Sequence, residues 1–298
     1  MGKIEKELNK LGELAINKKI SELTTIRIGG TAKYLIYPYN YLTLNQIIRL
    51  LNQENIDYKL FGKGSNILAS DKNYNGCIIR LDRYFNDFYI QDECIIAESG
   101  TSIIYLAQQA AKNGLSGLEF ASGIPATLGG CLYMNAGAYN KSMSDIVEEV
   151  LVFENDEFKW ISNDKCSFSY RHSYFQSHPN IIIIAAKIKL SKGNTQEILD
   201  LMENRRKRRI ETQPLDKPSC GSTFKNPVDG PVWKYIDDLG LRGFKIGGCQ
   251  ISCKHTNFII NDNNAKAQDY FDLVKLVRER CKNQYDINLE IEVEYFNC

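Results

Sequence analysis

Several residues in the chain have types that suit them to chemistry. Ser222 lies in Ser219-Cys-Gly-Ser-Thr-Phe-Lys-Asn226 and follows a glycine, which makes it a candidate acid or nucleophile. No Gly-x-Ser-x-Gly elbow surrounds it, and His172, His178 and His255 have no spacing that supports a Ser-His-Asp triad. A structural serine in a turn is the simpler account when it is read alone. Arg171, in Tyr170-Arg-His-Ser173, offers a rigid guanidinium fork matched to a carboxylate or phosphate. A surface arginine in a loop explains it as well. Glu290, Glu292 and Glu294 recur at period two, which would aim all three at one face of a strand. That face is ordinarily solvated; alternatively one carboxyl points into a cleft, where burial would fit it for proton chemistry.

Two glycine-rich blocks point to an anion. Gly62-Lys-Gly-Ser-Asn66 follows a predicted strand, where a turn of free N–H groups can hold a pyrophosphate. It is neither a Walker loop nor a GxGxxG dinucleotide turn, and an ordinary loop turn would account for it alone. The second block, Gly117–Tyr139 (GLEFASGIPATLGGCLYMNAGAY), contains Glu119 as its only acid and no base. Its Thr127-Leu-Gly-Gly stretch resembles a helix N-terminus, which offers N–H groups and a positive dipole end to a phosphate. Tight packing of a helix on a sheet is the competing reading. Together the two blocks suggest a dinucleotide clamped between two subdomains. Arg27-Ile-Gly-Gly30 reads alone as a surface arginine beside a turn. Arg205-Arg-Lys-Arg-Arg209 reads as a solvated helix surface, with a phosphate contact by one arginine left open.

The elements that must position these residues follow from periodicity. A polar first helix leads to a strand at Lys33–Pro38, an amphipathic helix at Thr43–Asn55 and a strand at Tyr58–Phe61. Strands are predicted at Gly76–Asp82, Phe88–Glu98, Ile146–Glu154, Glu157–Ile161 and Asn180–Leu190. Helices are predicted at Ser102–Asn113, stopped by Gly114, and at Thr195–Ile210. The Pro214–Pro218 segment marks a domain boundary. Beyond it come a strand near Ser222–Lys225, a helix at Val232–Leu239, strands at Phe244–Ser252 and Thr256–Asn261, a helix at Ala265–Tyr285 and an alternating strand at Leu289–Phe296. The class is α+β with mixed sheets.

At 298 residues and 43% hydrophobic the chain can bury a sizeable core in two or three domains. Its 37 basic and 36 acidic side chains leave a net charge of +1, which gives no pull toward nucleic acid or an anionic membrane. The charged Met1–Lys10 start does not resemble a signal peptide, and the longest aliphatic run, Ile181–Ala186, is too short to span a bilayer. Nine scattered cysteines argue for free thiols in a reducing compartment. No metal site is expected: the residues around Cys249 and Cys253 look extended, and His255 alone does not complete a zinc set.

In order, TTIRIGG (Thr24–Gly30), GKGSN, GLEFASGIPATLGGCLYMNAGAY, YRHSYF, TQPLDKPSCGSTFKNP, GLRGFKIGGCQISCKHTNFIIND and LEIEV resemble the UDP-N-acetylenolpyruvoylglucosamine reductase (MurB) family, across nearly the whole chain. The resemblance implies a two-subdomain FAD-binding fold of the vanillyl-alcohol-oxidase (PCMH) type plus a C-terminal α+β substrate domain, with boundaries at 1–75, 76–212 and 213–298. It implies a cytoplasmic, monomeric enzyme with non-covalent FAD, NADPH as hydride donor and UDP-N-acetylglucosamine enolpyruvate as substrate. By the resemblance, the catalytic residues are Arg171, Ser222 and Glu292. FAD contacts fall on Arg27, on Gly62, Lys63, Gly64, Ser65 and Asn66, on Gly123, Ile124, Pro125, Thr127, Gly129 and Gly130, and on Asn135, Gly137 and Ala138. Substrate contacts fall on Tyr139, Gln213, Asn226 and His255. The short segment after Arg171 resembles the compact, type II branch. Ala126 and Asn140 stand where glycine is common, and Glu294 where arginine is usual; Glu294 is expected to be solvated. Two other readings are a superfamily oxidase, which often tethers FAD through a histidine that is missing near Gly62–Asn66, and a nucleotide-binding module without turnover.

Overall fold

The computed structural model describes residues 2–298. They form two compact units, each assembled from separate stretches of chain: residues 2–16, Tyr34–Lys63 and Gly76–Lys207 in the first, and Asn17–Lys33, Gly64–Asn75 and Arg208–Cys298 in the second.

In the first unit a five-stranded antiparallel sheet has the order Glu157–Ser162, Val147–Glu154, Ile182–Lys189, Cys94–Glu98 and Phe88–Gln91. Its central strand carries the run Ile182–Ala186, buried throughout because both faces of the sheet are covered there. Helix Ile103–Lys112 lays Ile103, Leu106, Ala107, Ala110 and Ala111 into the same core as Leu128, Cys131 and Leu132. A second core gathers Tyr34, Ile36, Cys77, Ile79 and Phe85 with the apolar stripe Leu44, Ile47, Ile48 and Leu51 of helix Tyr41–Gln53. Asn40 caps that helix, its side chain accepting from Thr43 N at 3.0 Å. Tyr58–Phe61 runs parallel to the strand ending at Arg80, with Phe61 opposite Arg80.

In the second unit Ser219–Ser222, Phe258–Asn261, Cys249–Ile251 and Lys245–Ile246 form an antiparallel sheet in that order. Helix Ala267–Tyr285 covers its core with Tyr270, Leu273, Val274, Val277 and Cys281, the spacing of one helical face. Ile26, Ile28 and Leu68 complete that core. Among the described residues no helix is long and apolar enough to cross a membrane.

Helices and long strands lie within a few residues of their predicted bounds. The departures are informative. Gly12–Lys19 is a strand that the sequence, polar at alternate ends, did not announce. Phe88–Glu98 divides into two strands at a turn carrying Asp92 with φ +53°, and Phe244–Ser252 divides at Gly247-Gly248, with Ile246 opposite Cys249. The strand expected at Ser222–Lys225 ends at Ser222, leaving only the isolated bridge of Phe224 to Ile291. Leu289–Phe296 pairs as a strand only over Glu294–Phe296, parallel to Ile67–Ala69.

Candidate active site

The loop after Tyr58–Phe61 is shaped by Gly64, whose φ of +67° and whose missing Cβ, which would lie 2.1 Å from Leu23 O, exclude other residues. Among the described residues, the N–H groups of Lys63, Gly64 and Ser65 donate to no protein acceptor. Such a turn is suited to an anion. The Lys63 ammonium is directed to Asp82 at 3.1 Å. Asp82 also binds Arg80 through Nε at 3.1 Å and Nη2 at 2.5 Å. Burial opposes the charge on Asp82, but Arg80 and Lys63 outweigh it and hold the carboxyl below its usual range. Asn66 turns its side chain to protein: Nδ2 donates to Glu292 O at 3.0 Å, and Asn66 O accepts from Glu294 N at 2.9 Å.

Within the first unit the two glycine blocks meet. A Cβ on Gly62 would lie 2.8 Å from Thr127 Oγ1. Thr127 caps helix Leu128–Tyr133 as expected, accepting from Gly130 N at 3.2 Å. The free N–H groups expected at this terminus are absent, however. Leu128 N donates to Thr101 O and Gly129 N to Ser99 O, both at 2.8 Å, so the helix start is consumed by packing. Gly129 is small for the same reason, since a Cβ there would lie 3.0 Å from Ser99 Cβ. Close helix packing therefore explains Gly129, and the open donors of this block lie earlier, at Gly123, whose N–H meets no protein acceptor among the described residues. Ile124 packs against the core, and Pro125 is exposed and has no N–H to give. Ser99 Oγ is buried without a protein partner, an orphan hydroxyl of the kind a bound polar group satisfies.

Asn135 is buried with φ +40°; its amide accepts from Ser144 N at 3.0 Å and donates to Ser169 O at 2.9 Å. Its side chain thus braces the protein, a purpose the sequence did not disclose. Gly137–Ala138 and Lys141–Ser142 form a hairpin whose two turn residues, Tyr139 and Asn140, have φ of +55° and +59°. The Arg205 guanidinium lies 4.4 Å over the half-exposed Tyr139 ring. Arg205 and Arg209 share the half-buried side of helix Thr195–Thr212, and Arg209 Nε donates to Gln213 Oε1 at 3.0 Å. In sequence the whole run reads as a solvated surface; the i,i+4 spacing of Arg205 and Arg209 is the signal that could have set these two apart.

Arg171 occupies a tight turn in which Ser169 and His172 exchange N–H···O bonds of 3.1 Å. Its φ is +55°, unusual for arginine, and Nη2 donates to Gly137 O at 3.0 Å. The guanidinium is thereby tied to the glycine block. Arg27 also has a positive φ, +59°, and its side chain is exposed.

The chain segments carrying Ser222 and Glu292 pair in the second unit. Glu292 N donates to Thr223 O at 2.9 Å, and Lys225 N donates to Glu290 O at 2.9 Å, on either side of the Phe224–Ile291 bridge. The three glutamates do not share one strand face. Glu290 is exposed and paired with Lys225, Glu292 is half-buried between two chain segments, and Glu294 is half-buried in its short strand rather than solvated. His255 Nδ1 accepts from Asn257 N at 3.3 Å, so its neutral ring presents Nε2–H as a donor; burial pushes the imidazole below its usual range. Asn226 Oδ1 accepts from Val232 N at 3.1 Å, which fixes the start of helix Val232–Asp238.

Comparison with known proteins identifies the family and its cofactor. Residues 32–157 match the FAD binding domain, and residues 213–296 match the UDP-N-acetylenolpyruvoylglucosamine reductase C-terminal domain. The chain is an FAD-dependent oxidoreductase with an α+β fold of the vanillyl-alcohol-oxidase type and a C-terminal α+β domain. The UDP-N-acetylenolpyruvoylglucosamine reductase of Anoxybacillus flavithermus is 38% identical over 297 residues, 99% of this chain and 98% of the relative. That of Caldanaerobacter subterraneus subsp. tengcongensis is 41% identical over 97% of this chain and 95% of its own. The crystal structure of the enzyme (MurB) from Thermus caldophilus superposes with a TM-score of 0.82 at 33% identity, covering 96% and 98% of the two chains. This chain belongs to the UDP-N-acetylenolpyruvoylglucosamine reductase family.

Proposed function

We propose that the protein reduces UDP-N-acetylglucosamine enolpyruvate to UDP-N-acetylmuramate with NADPH and FAD, a step of peptidoglycan precursor synthesis, and that Arg171, Ser222 and Glu292 carry the reaction. The observation behind the residue assignment is the pairing of the Ser222 and Glu292 segments by the Glu292 N to Thr223 O bond. Bound FAD would take a hydride from NADPH and deliver it to the terminal vinyl carbon of the substrate. The N–H groups of Lys63, Gly64 and Ser65 would hold its pyrophosphate, with Gly123 as a further donor and Gly62 leaving room beside Thr127. Arg27, Asn135, Gly137 and Ala138 would complete the cradle, the last three chiefly through backbone. Tyr139, Gln213, Asn226 and His255 would orient the UDP-sugar.

Addition of a hydride to an enol ether conjugated to a carboxylate places further negative charge on an anion. The site must therefore supply positive charge and hydrogen bonds where the enolate develops. Arg171 does the first, because a guanidinium keeps its charge at any working pH. Glu292, protonated, would donate to the substrate carboxylate. Ser222 Oγ–H would protonate the α-carbon, completing the lactyl ether. All of these residues lie in one chain, which suits a monomer, and nine free thiols suit the reducing cytoplasm. We also propose the division into FAD-binding segments 1–75 and 76–212 and a substrate domain 213–298.

The test is a two-step stopped-flow experiment. Ser222→Ala is expected to leave bleaching of the flavin by NADPH near wild type and to slow colour recovery with the enolpyruvyl sugar by at least ~10²-fold. Equal recovery in both proteins would sink the serine assignment.

A further inference from the structure

Ser222 reaches its place through an irregular piece of sheet. Its strand pairs with Phe258–Asn261, but the register shifts between Ser219 and Ser222, and Gly221 within the shift has φ +79°. A bulge of this kind re-aims a side chain while weakening the ladder that would otherwise hold it. On one side, the chain immediately after Ser222 is held by one residue of the neighbouring turn, which makes three bonds to it. Thr223 N donates to Asn257 O at 2.8 Å, Phe224 N to Asn257 Oδ1 at 3.0 Å, and Asn257 Nδ2 to Phe224 O at 2.9 Å. The amide thus grips residue 224 through both of its backbone groups. Thr223, Phe224 and Asn257 are 0%, 1% and 4% exposed, so water does not compete for these bonds. Two contacts lead outward from the grip: Thr223 O receives Glu292 N, and Asn257 N donates to His255 Nδ1.

We infer that Asn257 is a positioning residue that fixes Ser222 against Glu292 for the proton-delivering half of the reaction. The inference rests on the reading of Ser222 and Glu292 given above. Without the amide, residue 224 would lose both of its bonds to the Asn257 side chain, leaving the bulged strand end at Ser222 oriented by its pair with Phe258 and by the contacts of Thr223 to Asn257 O, Glu292 N and Tyr270 Oη. Proton delivery is sensitive to such looseness, since misplacement by an ångström can cost about 10²-fold. Flavin bleaching by NADPH does not use Ser222 and should not respond.

The experiment uses flavin-replete Asn257→Asp, which keeps the shape and Oδ1 but turns the donor toward Phe224 O into an acceptor, and Asn257→Ser as a second variant. Recovery of flavin colour with the enolpyruvyl sugar should slow between ~10-fold and ~10²-fold, while bleaching by NADPH stays within about twofold. In the Ser222→Ala background Asn257→Asp should slow recovery little further, because the two changes act on one step. The inference is overturned if a folded, flavin-replete variant recovers at the wild-type rate. It is also overturned if both half-reactions fall by one factor, or if the effects of the two substitutions multiply. Should one variant fail to fold, the other decides; failure of both would make Asn257 a determinant of folding and overturn the positioning role. If Ser222→Ala alone recovers normally, the reading of the site fails, a result visible without any Asn257 variant.

Discussion

At Glu292 the main chain is gripped from two sides, its N–H by Thr223 and its C=O by Asn66. Glu294 shares the spacing but sits in the strand beside Ile67. The residue-scale consequence is an asymmetric pair of neutralisations. Glu292→Gln should slow recovery of the flavin colour by roughly 10²-fold, as expected when a group that stabilises the developing negative charge is weakened. Glu294→Gln should change it less than about twofold, like other substitutions away from the reacting groups. The reverse order in single-turnover traces would move the catalytic carboxyl by two positions. The thiols are equally unequal. Burial pushes Cys77, Cys131, Cys220 and Cys249 up to about 12, leaving almost no thiolate at neutral pH, whereas Cys253 is exposed. Titration of the native protein with a disulfide reagent should modify Cys253 first and these four only after denaturation. Early modification of Cys220 would contradict the packing around it.

At the scale of elements, the hairpin Gly137–Ser142 invites a stability test. Both turn residues have positive φ, a conformation that costs an ordinary L-residue about 1–2 kcal/mol and asparagine less. Asn140→Gly should therefore raise stability by a fraction of ~1 kcal/mol, read as a shift in the denaturant midpoint. A lower midpoint would mean that the Asn140 side chain does something the backbone geometry does not reveal. Elements with a dense apolar period, such as helix Ala267–Tyr285 or the strand around Ile182–Ala186, were legible in the sequence to within two residues. Leu289–Phe296 was not, although it alternates cleanly. Its alternation comes from two separate neighbours, Phe224 and then Ile67–Ala69, not from one ladder. The glycine blocks stood out in the sequence, but which of their N–H groups stay free did not. Whether an N–H is free depends on Ser99 and Thr101, which lie remote in the sequence from Gly129 and Leu128. Asn257 left no local mark, since its partners are Thr223 and Phe224.

At the scale of the whole molecule, the cluster of Asp82, Arg80 and Lys63 links stability to pH. The folded carboxyl titrates below its unfolded value, so its contribution is fully present above the unfolded aspartate pKa of about 3.9 and disappears as pH falls through the folded one. Asp82→Asn should cost about 3 kcal/mol at pH 7, the low end for a broken buried pair because Lys63 is 42% exposed. The penalty should shrink below about pH 4, where the wild-type carboxyl is itself losing its charge. A penalty of constant size down to pH 2 in denaturant midpoints would exclude the charge as its cause.

The second unit draws Asn17–Lys33 and Gly64–Asn75 from the early chain and Arg208–Cys298 from the end. Its core needs Ile26, Ile28 and Leu68 beside Phe224, Ile259 and Val277. On the ribosome, those early strips emerge while their partners are still untranslated, and must wait with apolar side chains uncovered until residues 208–298 have been made. The nascent chain thus depends on residues 208–298 to bury Ile26, Ile28 and Leu68, which favours chaperone holding during synthesis and makes the enzyme indivisible for anyone wishing to express the 208–298 segment alone.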